Sequence, residues 1–377
     1  MGSIVSPSNT PPIELLFLGT GTSSSIPHLD CLTAPPNREP CLTCLSTLTP
    51  EGKKNIRRNT SAALRISGKD GKTTTVVIDV GKNFQAAAVE WFPKYGLREI
   101  DAVIITHAHA DAMNGLDDLR GWTLGGAIQT HIDVYVSLST FHEVQRSFPY
   151  LVSKEFASGG GDVSCSFVYS VIIFDMHHRG KQVPDFEWHI IEDKVPFEIK
   201  DTGVQITPFI GWSSPVRPLS GTCCSNAPPK IHPYLCFGFL IQDTIIYISD
   251  VSLIPDDTWA LLESAKKPMP VLVLDCLRLR SHMSHMGIQE AVAAVRRLNP
   301  SRTYLTGFSH DISHDEYVTI GKAAGGDSSK DTTHMSIVER RGTEMIREGK
   351  PVWIRPSYDG LRVFVSNDDS VIDETYD

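Results

Sequence analysis

Apolar positions along this chain follow two rhythms. Short, nearly continuous apolar runs that stop at glycine or a polar residue predict strands buried on both faces: "IELLFLGTG" (13–21), "TTTVVIDVG" (73–81) and "IDAVIITH" (100–107). Six more follow: "HIDVYVS" (131–137), "GVQITPF" (203–209), "YLCFGFLIQD" (234–243), "TIIYISD" (244–250), "MPVLVLDCL" (269–277) and "RTYLTGFSH" (302–310). Helical spacing marks "NFQAAAVEWFPKYG" (83–96) and the amphipathic "MGIQEAVAAVRRLNP" (286–300). "PVWIRPSYDGLRVFV" (351–365) predicts a hairpin-like pair around Asp359-Gly360. Strands mixed with helices, without repeat or linker, predict one α/β domain over residues 13–365. Residues 1–12 read as a flexible N-terminus and 366–377 as a mobile acidic tail.

Polar residues gather just past predicted strand ends, at Asp79, His107, Asp250, Asp275 and His310. A sheet displays chemistry at such positions, because the strand is fixed and the loop is free. In "ITHAHADAMNGLDDLRGW" (105–122), His107 and His109 project to the same side of an extended loop and can grip one ion. Asp111, one step further at the start of a predicted helix, can reach a second. Asp250, an acid in apolar surroundings, calls for a partner or a metal.

Composition narrows the classes. A hydrophobic share of 41% and a charged share of 21% are ordinary for a globular chain. A net charge of −9 argues against a long nucleic acid as partner. It leaves open a small phosphate ester, whose charge bound dications would meet. No apolar run is long enough for a transmembrane segment. "MGSIVSPSNTPP" lacks a hydrophobic signal core, so cytoplasm is the expected location and nucleus the alternative. Gly2 and Ser6 fit the short N-myristoylation pattern. Three of the eight cysteines fall between positions 31 and 44 and read as metal ligands rather than disulfides.

At these residues the chain resembles the metallo-β-lactamase superfamily, from "FLGTG" to "SYDGLRV". Within it the chain is similar to the cyclic-phosphate phosphodiesterases of phosphonate breakdown and their eukaryotic relatives. "LGTGTSSSIP", the grouped cysteines, "RRNTSAAL" (57–64), "LDCLRLRSHMSH" (274–285) and the late "YDG" carry the likeness. The resemblance implies an αββα sandwich with a dinuclear site at one edge. It implies that His107 and His109 bind a first ion, Asp111 and His310 a second, and that Asp250 bridges them. The ions would be zinc, or manganese. Asp79 would orient the ligand loop, and His285 would assist at the leaving group; in the plainer alternative His285 neighbours a helix cap. A structural zinc is implied at Cys31, Cys41, Cys44 and His314, against the alternative of buried free thiols.

The pattern is broken in two places. Ala112 stands where the signature has a further histidine. After "QITPF", where a lone histidine is expected, the chain has Gly211 and Trp212, and His232 lies nearest downstream. "VSCSFVYSVIIFDMHHRGKQ" (163–182) also interrupts what would otherwise read "ASGGGDVPDFEWHII". A translated intron and a genuine lid loop are its two readings, and His177 and His178 within it are not assigned roles. The residues predict a metal-dependent hydrolase, and the resemblance implies a phosphodiesterase of small or cyclic phosphate esters, with Asp250 and His285 at the reacting centre. The rivals are a metal-poor paralogue serving as a binding module and a thioester or lactone hydrolase. A tRNA-processing nuclease is disfavoured by the acidic balance and the absence of a basic arm. Oligomeric state is not legible.

Overall fold

The computed structural model describes residues 13–68, 71–153, 185–214, 234–327 and 332–376. Six strands open the fold: β1 (Ile13–Gly19), β2 (Ser61–Ser67), β3 (Thr73–Ile78), β4 (Ala102–Ile104), β5 (Ile132–Val136) and β6 (Phe186–Ile190). Six more follow: β7 (Phe197–Glu198), β8 (Gln205–Ser214), β9 (Tyr234–Ile241), β10 (Ile245–Ile248), β11 (Val271–Asp275) and β12 (Arg302–Thr306). The last three are β13 (Ile354–Pro356), β14 (Arg362–Val365) and β15 (Val371–Asp373). They form two sheets, ordered β15-β14-β1-β2-β3-β4-β5-β6 and β13-β12-β11-β10-β9-β8-β7.

The continuous apolar runs exist because each sheet is covered on both faces. Side chains alternate across a strand. Ile13, Leu15 and Phe17 of β1 therefore enter the core between the sheets, which also takes Val271 and Val273 of β11. Leu16 and Leu18 enter an outer core under the helix Phe84–Tyr95. Leu272 and Leu274 enter the opposite outer core under Ile288–Leu298 and His314–Ala324. The result is four layers, helices outside and two sheets within, the αββα arrangement expected.

Strand direction places the site. β3, β4 and β5 run parallel, as do β10, β11 and β12, so each sheet aligns its C-terminal strand ends along one edge. The Phe237 amide donates to the Thr106 carbonyl (2.9 Å), which joins the two edges at this rim.

Two expectations are corrected here. Residues 351–365 are not a hairpin: β13 pairs with β12 in one sheet and β14 with β1 in the other, so the Asp359-Gly360 turn passes the chain between sheets. The acidic tail is not loose over its described part, since β15 pairs with β14. Asp373 there accepts hydrogen bonds from Arg302 (2.9 Å) and from the Tyr304 hydroxyl (2.7 Å). Residues 1–12 with Gly2, the stretch 163–182 with His177 and His178, and His232 lie outside the described residues. No helix among the described residues is long and apolar enough to cross a membrane.

Candidate metal centres

The rim centre begins at Asp79, directly after β3 and in a left-handed conformation (φ 61°) uncommon for a residue with a side chain. Its carboxylate is buried and accepts two bonds of 2.8 Å, from the Thr106 amide and from the Thr106 hydroxyl. Burial pushes the Asp79 carboxyl up, against the pull of those donors. The Thr106 oxygen also lies 2.8 Å from Nδ1 of His107. Its one proton is used on the carboxylate, so it accepts from the imidazole, which must carry hydrogen at Nδ1. Nε2 is then a bare lone pair.

That lone pair is buried and has no partner, and neither has Oδ1 of Asp111. Unpaired buried polar atoms are expensive, and two in one place indicate a missing common partner. His107, His109 and Asp111 each offer a donor atom, all within 4.8 Å of one another. Burial, then the neighbouring His109, holds His107 down to about 3, so its imidazole is neutral and fit for coordination. His109 is exposed at the rim and its ring stacks on Tyr234, with centroids 4.1 Å apart. Ser23, from the "LGTGTSSS" loop, donates to Oδ2 of Asp111 at 2.6 Å. Gly81 permits the approach: a Cβ there would lie 2.0 Å from the Asp111 carbonyl oxygen.

Facing this triad are two acids and an imidazole. His285 Nδ1 lies 3.1 and 3.2 Å from the two oxygens of Asp275, and its Nε2 lies 3.6 Å from Oδ1 of Asp250. Burial alone would depress His285, but the Asp275 carboxylate, by charge and hydrogen bond, and then Asp250 raise it to about 9. Burial raises Asp250 to about 7, opposed by the His285 charge. Asp250, like Asp79, follows its strand at positive φ (50°). The sequence marked Asp275 as a strand-end acid but gave it no role; the structure makes it the anchor of His285.

Neither His310 nor His314 stands in the place expected of it. β12 ends at Thr306 and the chain turns at Gly307 (φ 76°), where an added Cβ would sit 2.3 Å from Oδ1 of Asp275. The turn carries His310 away from the rim centre to the thiols. Its Nδ1 lies 3.4 Å from Sγ of Cys31, 3.6 Å from Cys41 and 3.5 Å from Cys44. A tetrahedral ion with Zn–S near 2.3 Å and Zn–N near 2.0 Å would set such edges at about 3.5 Å, so the donor set fits zinc. Burial pushes the Cys44 thiol up to about 12, so thiolate there needs a cation beside it. His314 is elsewhere. It opens the helix His314–Ala324, its Nε2 lies 3.0 Å from the Tyr376 hydroxyl and its ring packs edge-on against Tyr358.

Among the described residues no histidine takes the two vacant places of the pattern. Ala112 is buried in the outer apolar core, and Gly211 lies inside β8, where a Cβ would meet a Val251 methyl at 2.8 Å. A further group is His131, just before β5, with Asp133 on β5 and Glu187 on β6. His189 and Lys200 satisfy its carboxylates at 2.7 and 2.8 Å.

Comparison with known proteins agrees with this architecture. A family model described as a beta-lactamase superfamily domain matches residues 74–308, more than half of the chain. The crystal structure of a new diphosphatase from the PhnP family superposes with a TM-score of 0.59 at 20% identity, covering 93% of this chain and 96% of that one. Unliganded yeast PDE1 does so at 0.51 and 10%, covering 94% and 100%. At these identities the likeness is one of fold. An octanoyltransferase of Porphyromonas gingivalis is 24% identical over 312 residues, covering 82% of this chain. The chain spans about half, 48%, of that relative's length. From the family match and the two packed sheets, this chain belongs to the metallo-β-lactamase superfamily of hydrolases.

Proposed function

We propose that this protein is a metal-dependent phosphodiesterase acting on a small or cyclic phosphate ester. The observation that carries the reading is the pair of buried, unpartnered donors, His107 Nε2 and Asp111 Oδ1, set opposite the His285–Asp275 pair. His107, His109, Asp111 and Asp250 would hold the ion, zinc or manganese. A bound dication supplies Lewis acidity toward a phosphoryl oxygen and a strong nucleophile from water near neutral pH. The chain's own residues do the rest. Asp79 and Thr106 fix the His107 tautomer. Asp275 fixes His285, whose Nε2 holds a proton toward the pocket and delivers it to the leaving alkoxide. The thiols with His310 would hold a separate structural zinc. The diphosphatase and the phosphodiesterase that share the fold support phosphate-ester chemistry. Purified protein should carry zinc and cleave bis(p-nitrophenyl) phosphate, and Asp250→Ala should abolish cleavage. Unchanged turnover in that variant rejects the mechanism.

A second reading, acyl ester or thioester hydrolysis, is favoured by the similarity to the octanoyltransferase, since the same ion polarises carbonyls. A panel setting p-nitrophenyl octanoate and an octanoyl thioester beside the phosphodiester separates the two. Zinc only at the thiols would instead favour a binding module, the reading that Ala112 and Gly211 support.

A further inference from the structure

We infer that the rim centre is built for one ion rather than two, and that His285 rather than a second cation serves the departing oxygen. The inference rests on the proposal above that the rim binds metal at all.

The donor inventory carries it. His107, His109 and Asp111 converge within 4.8 Å and make one set. A second ion needs about three protein donors of its own or shared ones. Among the described residues, the positions next in line do not supply them. Ala112 offers a methyl, buried among apolar side chains. Gly211 offers nothing, and Val251 occupies the space a side chain would enter. Gly307 offers nothing, and Asp275 occupies that space. Both oxygens of Asp275 are engaged by His285 Nδ1, and one also accepts from the Met286 amide at 3.0 Å. Asp111 Oδ2 already accepts from Ser23. Among the described residues this leaves, beside the Asp111 Oδ1 already counted in the first set, Asp250 as the carboxylate that could reach a second ion, and it too faces His285.

The arrangement has a chemical consequence. Two ions would stabilise both the attacking and the departing oxygen. With one, the departing oxygen must be protonated as its bond to phosphorus breaks. The proton comes from His285 Nε2; the attacking water forms the new phosphorus–oxygen bond and gives its proton to solvent, which restores His285. Esters with alkyl leaving groups should therefore depend on His285 far more than p-nitrophenyl esters, whose phenolate departs unaided.

Metal content tests this. Zinc-loaded, dialysed protein should hold two ions per chain, and both the Cys41→Ser, Cys44→Ser variant and the His107→Ala, His109→Ala variant should hold one. Three ions in the wild type, or two retained after loss of the thiols, overturn the one-ion centre and leave the metal reading intact. No loss in the histidine variant overturns both. Electron paramagnetic resonance of manganese-loaded wild type needs no variant: isolated-ion spectra are expected, and an exchange-coupled pair refutes the inference. On an alkyl phosphodiester His285→Gln should lose about 10²-fold or more in turnover, the low end of what a positioned acid contributes. On bis(p-nitrophenyl) phosphate it should lose severalfold at most, and equal losses refute the leaving-group assignment.

Discussion

Thr106→Val exchanges a hydroxyl for a methyl of nearly the same shape and cuts the link between Asp79 and His107. The bond to Asp79 Oδ2 (2.8 Å) disappears while the Thr106 amide bond to Oδ1 remains. Leaving one oxygen of a buried carboxylate unpartnered costs about 1–3 kcal/mol of stability. The second effect falls on the metal. His107 loses the acceptor that holds its Nδ1 hydrogen, with only the Cys236 sulfur near it at 3.7 Å. Groups that orient a metal-bound histidine are typically worth about 10–100-fold in affinity. Denaturant unfolding in chelator should therefore show the stability loss, and competition with a chromophoric chelator the loss of rim-ion affinity. Thr106→Ser keeps the hydroxyl and should restore both. A variant that is destabilised yet binds the rim ion as tightly as wild type would refute the tautomer argument.

Two further outcomes follow from groups away from the rim. Burial holds His314 down to about 3 from its ordinary 6.5, so the unfolded chain takes up a proton that the folded chain refuses. Its share of stability is complete above pH 6.5 and is lost as pH falls toward 3, at about 1.4 kcal/mol per pH unit; His314→Asn should lose that part of the slope in denaturant midpoints measured across the window, and parallel slopes would refute it. Asp373→Ala leaves Arg302 and the Tyr304 hydroxyl without their carboxylate and should cost about 3–5 kcal/mol, whereas a midpoint unchanged from wild type would mean that β15 contributes nothing.

What the sequence discloses depends on how local the cause is. β1 was readable because its alternate residues enter different cores, which leaves an unbroken apolar run. His107, His109 and Asp111 were readable because one loop carries all three. His310 and His314 were not, because their destinations are decided by the turn at Gly307, and that turn is decided by the packing of Asp275 from another strand. Asp275 stood out as a strand-end acid, but only folding brings His285 to it. The stretch around Asp359-Gly360 looked like a hairpin because local spacing cannot say that its two arms pair with strands nearly the whole chain apart, β12 in one sheet and β1 in the other. The acids near the C-terminus suggested solvent, but Asp373 answers an arginine and a tyrosine on β12.

The pairing of β1 with β14 has a consequence for synthesis. Ile13 lies opposite Val365, so the first strand waits for almost the last before its sheet can be completed. Until then β1, apolar on both faces, has one edge covered by β2 and the other open, the kind of surface on which nascent chains stick to one another. The ribosome must therefore deliver nearly the entire polypeptide before this seam closes, and a chain stalled short of Arg362 would leave it exposed to chaperones and proteases.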